Sequence, residues 1–287
     1  MTKRTLVPTQ KKITKKQHAT HLIYGIFLNS LISLCLIGCY TVPETGRSSL
    51  NLMSEGSVAS MSASSFDELK TETPISKDVE KNKRVQQISH RIVSVAVQSA
   101  DLPPVDQWEF VLFDDDKVKN AFAMPGGKVG VYTGLFELAN SDDELAVVIG
   151  HEVAHVAARH GNERLSQNIL ISGIGLGLFL GTMNQDTSTR VAILGAYGAG
   201  STLGVILPFS RKDEAEADYI GLIYMARAGY NPEAAVTFWQ KMKEQKSSTM
   251  PEIFSTHPAD ETRIENIKRQ LPQVIPIYES TIKKEAP

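Results

Sequence analysis

GHEVAHVAARHG, residues 150–161, places three histidines and one carboxylate inside an otherwise apolar stretch. Side chains four positions apart on an α-helix differ by about 40° in azimuth, so His151 and His155 project side by side and their imidazoles can grip one metal ion. Glu152 stands about 100° from His151, within reach of a water on that ion rather than of the ion itself. This H-E-x-x-H arrangement points to one zinc ion per chain, with Glu152 as general base. Zinc brings the pKa of a bound water to about 7, which makes hydroxide available at neutral pH. Burying ionisable groups is costly unless they are paired or metal-bound. The bland alternative is a set of hydrogen-bonded core histidines.

Catalytic zinc needs three protein ligands and an open fourth position. A longer pattern, H-E-x-x-H-x-x-G-x-x-H, would require glycine at position 158 and histidine at 161, whereas the chain has Ala158 and Gly161. On a continued helix His160 also points about 180° from His151, so it is expected to be a polar residue at the helix end, favourable to the dipole. SRKDEAEADYIG, residues 210–221, offers the third ligand. Glu214 and Asp218 share a helical face, while Glu216 lies near the opposite side. Glu214 could then bind zinc, with Asp218 holding a histidine ring from behind. On charge pattern alone, however, this acidic cluster is a solvated helix surface.

These groups need a helix to carry them. Ser141 opens S-x-x-E with Glu144, a capping box, and Leu145–Ile149 and Val153–Ala158 make the following helix apolar on nearly every side, hence buried. Gly161 is expected to end it. Upstream, helices are predicted over 54–70 and 77–99, the second from Val79, Val85, Ile88, Ile92 and Val95 near the helical period. Strands follow at Trp108–Phe113, Asn120–Met124 and Lys128–Tyr132, with turn-forming DDD and PGG between them. Further helices are predicted over 211–228, 232–244 and 259–271. Two glycine-rich apolar stretches, 169–183 and 191–208, are expected to form closely packed helices on or near the domain, although 191–210 is long enough to span a bilayer. The fold expected is α+β, mainly α-helical, with a small antiparallel β-sheet beside the H-E-x-x-H helix.

The first 38 residues differ from the rest. Lys3, Arg4, Lys11, Lys12, Lys15 and Lys16 precede an uncharged run from Leu22 to Gly38, the layout of a secretory signal. Leu36, Ile37, Gly38 and Cys39 resemble a bacterial lipobox, in which the signal is cut before a cysteine that becomes diacylated; an uncleaved membrane anchor is the alternative. Residues 1–38 are thus expected to be a lipoprotein signal, Cys39 the lipidation site and membrane anchor, and 39–52, small and turn-rich, a flexible tether. Removing the six leader cations leaves 24 Lys and Arg against 32 Asp and Glu. An acidic chain without basic clusters has no electrostatic footprint for nucleic acid.

Four blocks occur in order between Asn120 and Arg263: NAFAMPGGKVGVYTGL, ELAVVIGHEVAHVAARH, SRKDEAEADYIG and STHPADETR. Together they resemble the gluzincin metallopeptidases that include the HtpX heat-shock proteases, the CAAX prenyl endopeptidases and, most closely, bacterial periplasmic lipoprotein proteases. The resemblance implies a zincin-type metallopeptidase domain over 53–287, with zinc held by His151, His155 and Glu214, Glu152 as base and Asp218 behind a ligand ring. It also implies that Asn120–Met124 borders the cleft, with Asn120 and Ala121 binding an extended polypeptide substrate. His257, in STHP, could approach the metal or a developing oxyanion, or simply cap a loop; Arg263 is a weaker candidate. The function expected is a zinc-dependent endopeptidase acting on misfolded or misassembled envelope proteins. The localisation expected is the bacterial cell envelope, lipid-anchored and facing the periplasm, with Tyr40 rather than Asp after Cys39 favouring the outer membrane. A chaperone-like, non-catalytic zinc-binding lipoprotein is the alternative.

Overall fold

The computed structural model describes residues 39–183, 185–193, 210–244, 257 and 261–285. The leader at 1–38 and most of the second apolar stretch, from 194 on, lie outside these residues. In chain order the elements are β1 (Cys39–Thr41), β2 (Ser48–Leu50), α1 (Glu55–Glu72), α2 (Val79–Ala96), β3 (Glu109–Phe113), β4 (Ala121–Met124), β5 (Lys128–Tyr132), α3 (Asp142–Ala157), α4 (His160–Gly181), α5 (Arg211–Arg227), α6 (Ala234–Glu244) and α7 (Glu261–Glu285). Among the described residues no helix is long and apolar enough to cross a membrane.

The H-E-x-x-H helix, α3, is the axis of the domain. It packs against α5, α2, α6 and β4, and Leu145, Ile149 and Val153, a stripe along one face, are wholly buried. Burying each such side chain stabilises by about 1.5–3 kcal/mol. The Ser141 hydroxyl accepts the Glu144 N–H as the capping pattern predicts. The Glu144 carboxylate leaves the box open and instead accepts the Asn140 N–H and pairs with Lys241 of α6.

The fold class is as expected, mainly helical with a small sheet, but the sheet is mixed rather than antiparallel. Its order is β3-β5-β4, with β4 antiparallel to β5 and β3 parallel to it. Pro125, Gly126 and Gly127 fold β4 back on β5, the two glycines having φ of 83° and 78°, values that favour a residue without Cβ. The 114–120 connection therefore carries the chain from β3 to the far side of β5. β4 becomes an edge strand lying against α3.

Three boundaries differ from expectation. The segment 39–52 is no flexible tether: β1 and β2 form a hairpin, Val42 is buried, and the Tyr40 hydroxyl donates to the Ala157 carbonyl at 3.0 Å. Its small polar residues conceal these anchors. α3 ends before Arg159, which adopts a left-handed φ of 56°, and Gly161 lies inside α4 rather than ending α3. Such a backbone costs a non-glycine residue roughly 1–2 kcal/mol, and the Arg159 side chain is pinned by Asp101 at 2.7 Å and by the Tyr40 ring 3.9 Å away. Finally, α7 continues past Leu271 through Pro272 and Pro276. The two prolines are four apart and both face solvent, where water can satisfy the carbonyls they leave free, while Val274 stays buried.

Candidate active site

Where α3 crosses α5, Gly150 meets Gly221. A Cβ on Gly221 would stand 2.9 Å from the His151 backbone nitrogen and 3.0 Å from the Gly150 carbonyl carbon. This backbone contact sets His151 and His155 opposite Glu214 and Asp218. The Nε2 atoms of the two histidines are 3.0 Å apart, and each lies 3.4 Å from a Glu214 carboxylate oxygen. A tetrahedral zinc with ligand distances near 2 Å needs donor atoms about 3.3 Å apart. The observed spacing fits that ion, and the donor set of two imidazoles and a carboxylate suits zinc.

His257 completes the cluster. Its Nδ1 lies 2.9 Å from Glu214 and 3.1 Å from His151 Nε2, and one donor atom from each of these four buried residues falls within 4.8 Å of all the others. Glu152 is also buried, next to this group. Its Oε1 stands 3.3 Å from His257 Nε2 and makes no hydrogen bond. The backbone of Ala123 in β4 hydrogen-bonds the Glu152 carboxyl group. Burial raises the Glu152 pKa, outweighing the opposing charges of His257 and His151.

Asp218 lies behind His151, with Oδ1 2.9 Å from His151 Nδ1. The Arg263 guanidinium grips both Asp218 oxygens, at 2.8 and 2.6 Å, and stacks 3.4 Å over the Trp239 ring. Burial pushes the Asp218 carboxyl upward, but Arg263 and His151 overcome it and hold the group below its usual value. Burial and Arg263 push His151 down, yet the Glu214 charge and the Asp218 hydrogen bond raise it to about 9. Burial drives His155 well below its ordinary value. Glu214 resists burial through its three histidine neighbours and stays strongly acidic. The carboxylates that hold a proton on His151 are the ones that would hold a cation.

Asn120 is buried at the start of β4, and its Oδ1 accepts the Ala121 N–H at 2.9 Å. Its own carbonyl accepts Tyr132 N–H, so the register turns the main-chain groups of Ala121 and Ala123 toward the free edge of the strand. Cys39 is exposed at the start of β1. Sequence reasoning underweighted Arg263 and missed Trp239 and Ala123. It also placed His160 away from the site, whereas the left-handed turn at Arg159 swings this ring back to within 2.8 Å of His155.

Residues 80–271 match the model of Peptidase family M48. The chain belongs to that family. M48 enzymes are gluzincin metallopeptidases that use zinc, so the cluster of histidines and Glu214 is the candidate zinc centre of an M48 domain. The chain is 37% identical over 191 residues to the mitochondrial metalloendopeptidase OMA1 of Schizosaccharomyces pombe, covering 66% of this chain and 52% of the relative. It is 30% identical over 269 residues to the Beta-barrel assembly-enhancing protease of Escherichia coli K12, covering 92% of this chain and 54% of the relative. Human OMA1 is 30% identical over 288 residues, with 95% and 55% covered. The chain thus spans about half the length of these curated relatives.

Proposed function

We propose that this M48 chain is a zinc-dependent endopeptidase with Glu152 as general base, acting on misfolded or misassembled polypeptides of the bacterial cell envelope. The observation that carries the proposal is Glu152 itself: a buried carboxyl group with one oxygen free of hydrogen bonds, beside a cluster of four residues whose donor atoms lie within 4.8 Å of one another. A structural zinc site has no use for such a group, which argues against the chaperone-like alternative.

His151, His155 and Glu214 would hold the ion, and zinc when bound supplies a Lewis acid that polarises the scissile carbonyl and acidifies water. Glu152 Oε1 accepts a proton from the attacking water and returns it to the departing amine nitrogen, so one C–N bond is exchanged for a carboxylate and an amine. The pKa raised by burial keeps the proton within reach of that return. Asp218 accepts the His151 Nδ1–H and so leaves Nε2 to face the ion. Arg263 keeps Asp218 charged and in place. His257 Nε2, 3.3 Å from Glu152 Oε1, suits an oxyanion developing there. The outward edge of β4 at Asn120 and Ala121 pairs with an extended substrate, with Asn120 Oδ1 yielding the Ala121 N–H.

The envelope assignment is supported by the basic and apolar leader, by the lipobox-like residues ending at Cys39 and by the exposure of that cysteine at the margin of the domain. A chain lipidated at Cys39 and held at the outer membrane would face the periplasm. The E. coli relative, named for β-barrel assembly, covers nearly all of this chain and favours the same class of substrate. The test is casein cleavage by the purified protein: activity lost in chelator and restored by zinc supports the proposal, and zinc uptake without cleavage overturns it.

A further inference from the structure

The two histidines of α3 are braced differently. His151 leans on Asp218 directly. Behind His155 stands another histidine. His155 Nδ1 lies 2.8 Å from His160 Nδ1, and His160 Nε2 lies 3.0 Å from Glu216 Oε2. The protons can be placed in one way that serves a metal at His155 Nε2. His155 carries its hydrogen on Nδ1 and donates to the bare Nδ1 of His160, which in turn donates from Nε2 to the Glu216 carboxylate.

Glu216 is itself held by the amino-terminal arm. The Arg47 Nε and the Thr45 hydroxyl both donate to its carboxylate, and Arg47 Nη1 bridges to Glu163 of α4 at 2.8 Å. Burial opposes the Glu216 charge, but the bonds from His160, Thr45 and Arg47 outweigh it. His160 is buried, its side chain sealed between α3, α5 and the arm. Partners behind a metal-ligating histidine fix its tautomer and ring orientation.

From this geometry we infer that His160 and Glu216 are positioning residues that fix His155 for the metal, and that the arm, through Arg47, is part of the support of the zinc centre. The inference rests on His155 binding zinc through Nε2, as proposed above. It gives the segment between Cys39 and Leu50 a role besides connection: an arm pulled from its seat would unbrace a ligand.

The experiment is a competition titration of the full-length protein, in which zinc is withdrawn by a chromophoric chelator, with thermal melting of the metal-free forms alongside. His160→Ala is expected to weaken zinc binding by about 10- to 100-fold. His160→Asn, whose Oδ1 stands where Nδ1 accepts, is expected to recover most of that loss. A parental zinc affinity in His160→Ala, or an Asn variant no better than the Ala one, overturns the inference, because a filler of space would respond to neither difference. If His160→Ala does not fold, Glu216→Gln and Arg47→Ala decide: weakened zinc in both supports it, and parental affinity in either overturns it. A parent chain that takes up no zinc at all overturns the functional proposal itself, an outcome distinct from parent and variants binding alike.

Discussion

Gly150 and Gly221 are in backbone contact where α3 crosses α5, so that no side chain separates the helix bearing His151 and His155 from the helix bearing Glu214. Gly221→Ala would force the new methyl to 2.9 Å from the His151 nitrogen, a backbone atom that cannot rotate away. Overpacking of this kind costs typically 1–3 kcal/mol, and here the relief direction parts the ligands. Urea unfolding should show that loss, and zinc titration should show weaker binding. Parental zinc affinity in a destabilised variant would separate the crossing from the site.

Glu152→Gln retains the size and the burial of the side chain but removes the proposed base. Zinc content should stay at the parental level while peptide cleavage falls at least 10²- to 10⁴-fold, the usual contribution of a positioned base. Turnover retained in the zinc-loaded variant removes Glu152 from this role. In the metal-free parent, burial raises the Glu152 pKa.

Zinc uptake should depend on pH through His151. Its pKa in the metal-free protein is raised to about 9, so at neutral pH the ring must shed a proton to become a ligand. Affinity should therefore rise with pH through neutrality and level off near pH 9. The stability of the metal-free fold runs the other way. The contribution of His151 is complete below the unfolded pKa near 6.5 and is lost as pH climbs through the folded value, a loss of about 3–4 kcal/mol at 1.4 kcal/mol per unit. Chelator competition and urea unfolding at pH 6.5 and 9 measure both slopes. A flat zinc affinity over that interval contradicts the protonated His151.

For His257, whose ring lies between Glu214 and Glu152, the Ala variant leaves the three proposed zinc ligands in place. One zinc per chain should remain, with cleavage reduced by 10²- to 10³-fold, the loss typical of a missing oxyanion donor. A parental rate together with parental zinc binding places His257 outside the chemistry.

What the sequence disclosed follows from how far each relation reaches along the chain. His151, Glu152 and His155 share one helix, and helical period alone orients them. Glu214 and Asp218 share another face by the same rule, but joining the two faces depends on the Gly150–Gly221 contact, which no local pattern encodes; family resemblance bridged that gap. His160 was misplaced because a continued helix was assumed, and the left-handed Arg159 breaks it. The arm is hidden for a related reason: Tyr40 and Arg47 find partners 116 to 169 positions away on α3, α4 and α5, while their immediate neighbours are turn formers. The direction of β3 was likewise hidden, since a seven-residue connection can return a strand to either side of its hairpin.

Arg263 is the last case, and the hardest to read from sequence, because its partners come from α5 and α6. Its guanidinium is buried between the Asp218 carboxylate and the Trp239 ring. Arg263→Ala would leave Asp218 a buried charge without its fork, and breaking a buried pair in that way costs about 3–5 kcal/mol. Arg263→Lys should recover little, since an ammonium cannot make both bonds and stack. Much of the cost is the stranded carboxylate rather than the lost contact, which predicts strong non-additivity. Adding Asp218→Asn to Arg263→Ala should therefore cost far less than the two single losses together. Urea unfolding of the four proteins measures this coupling; additive losses would mean that the pair contributes nothing as a pair, and that Asp218 stays charged behind His151 without Arg263.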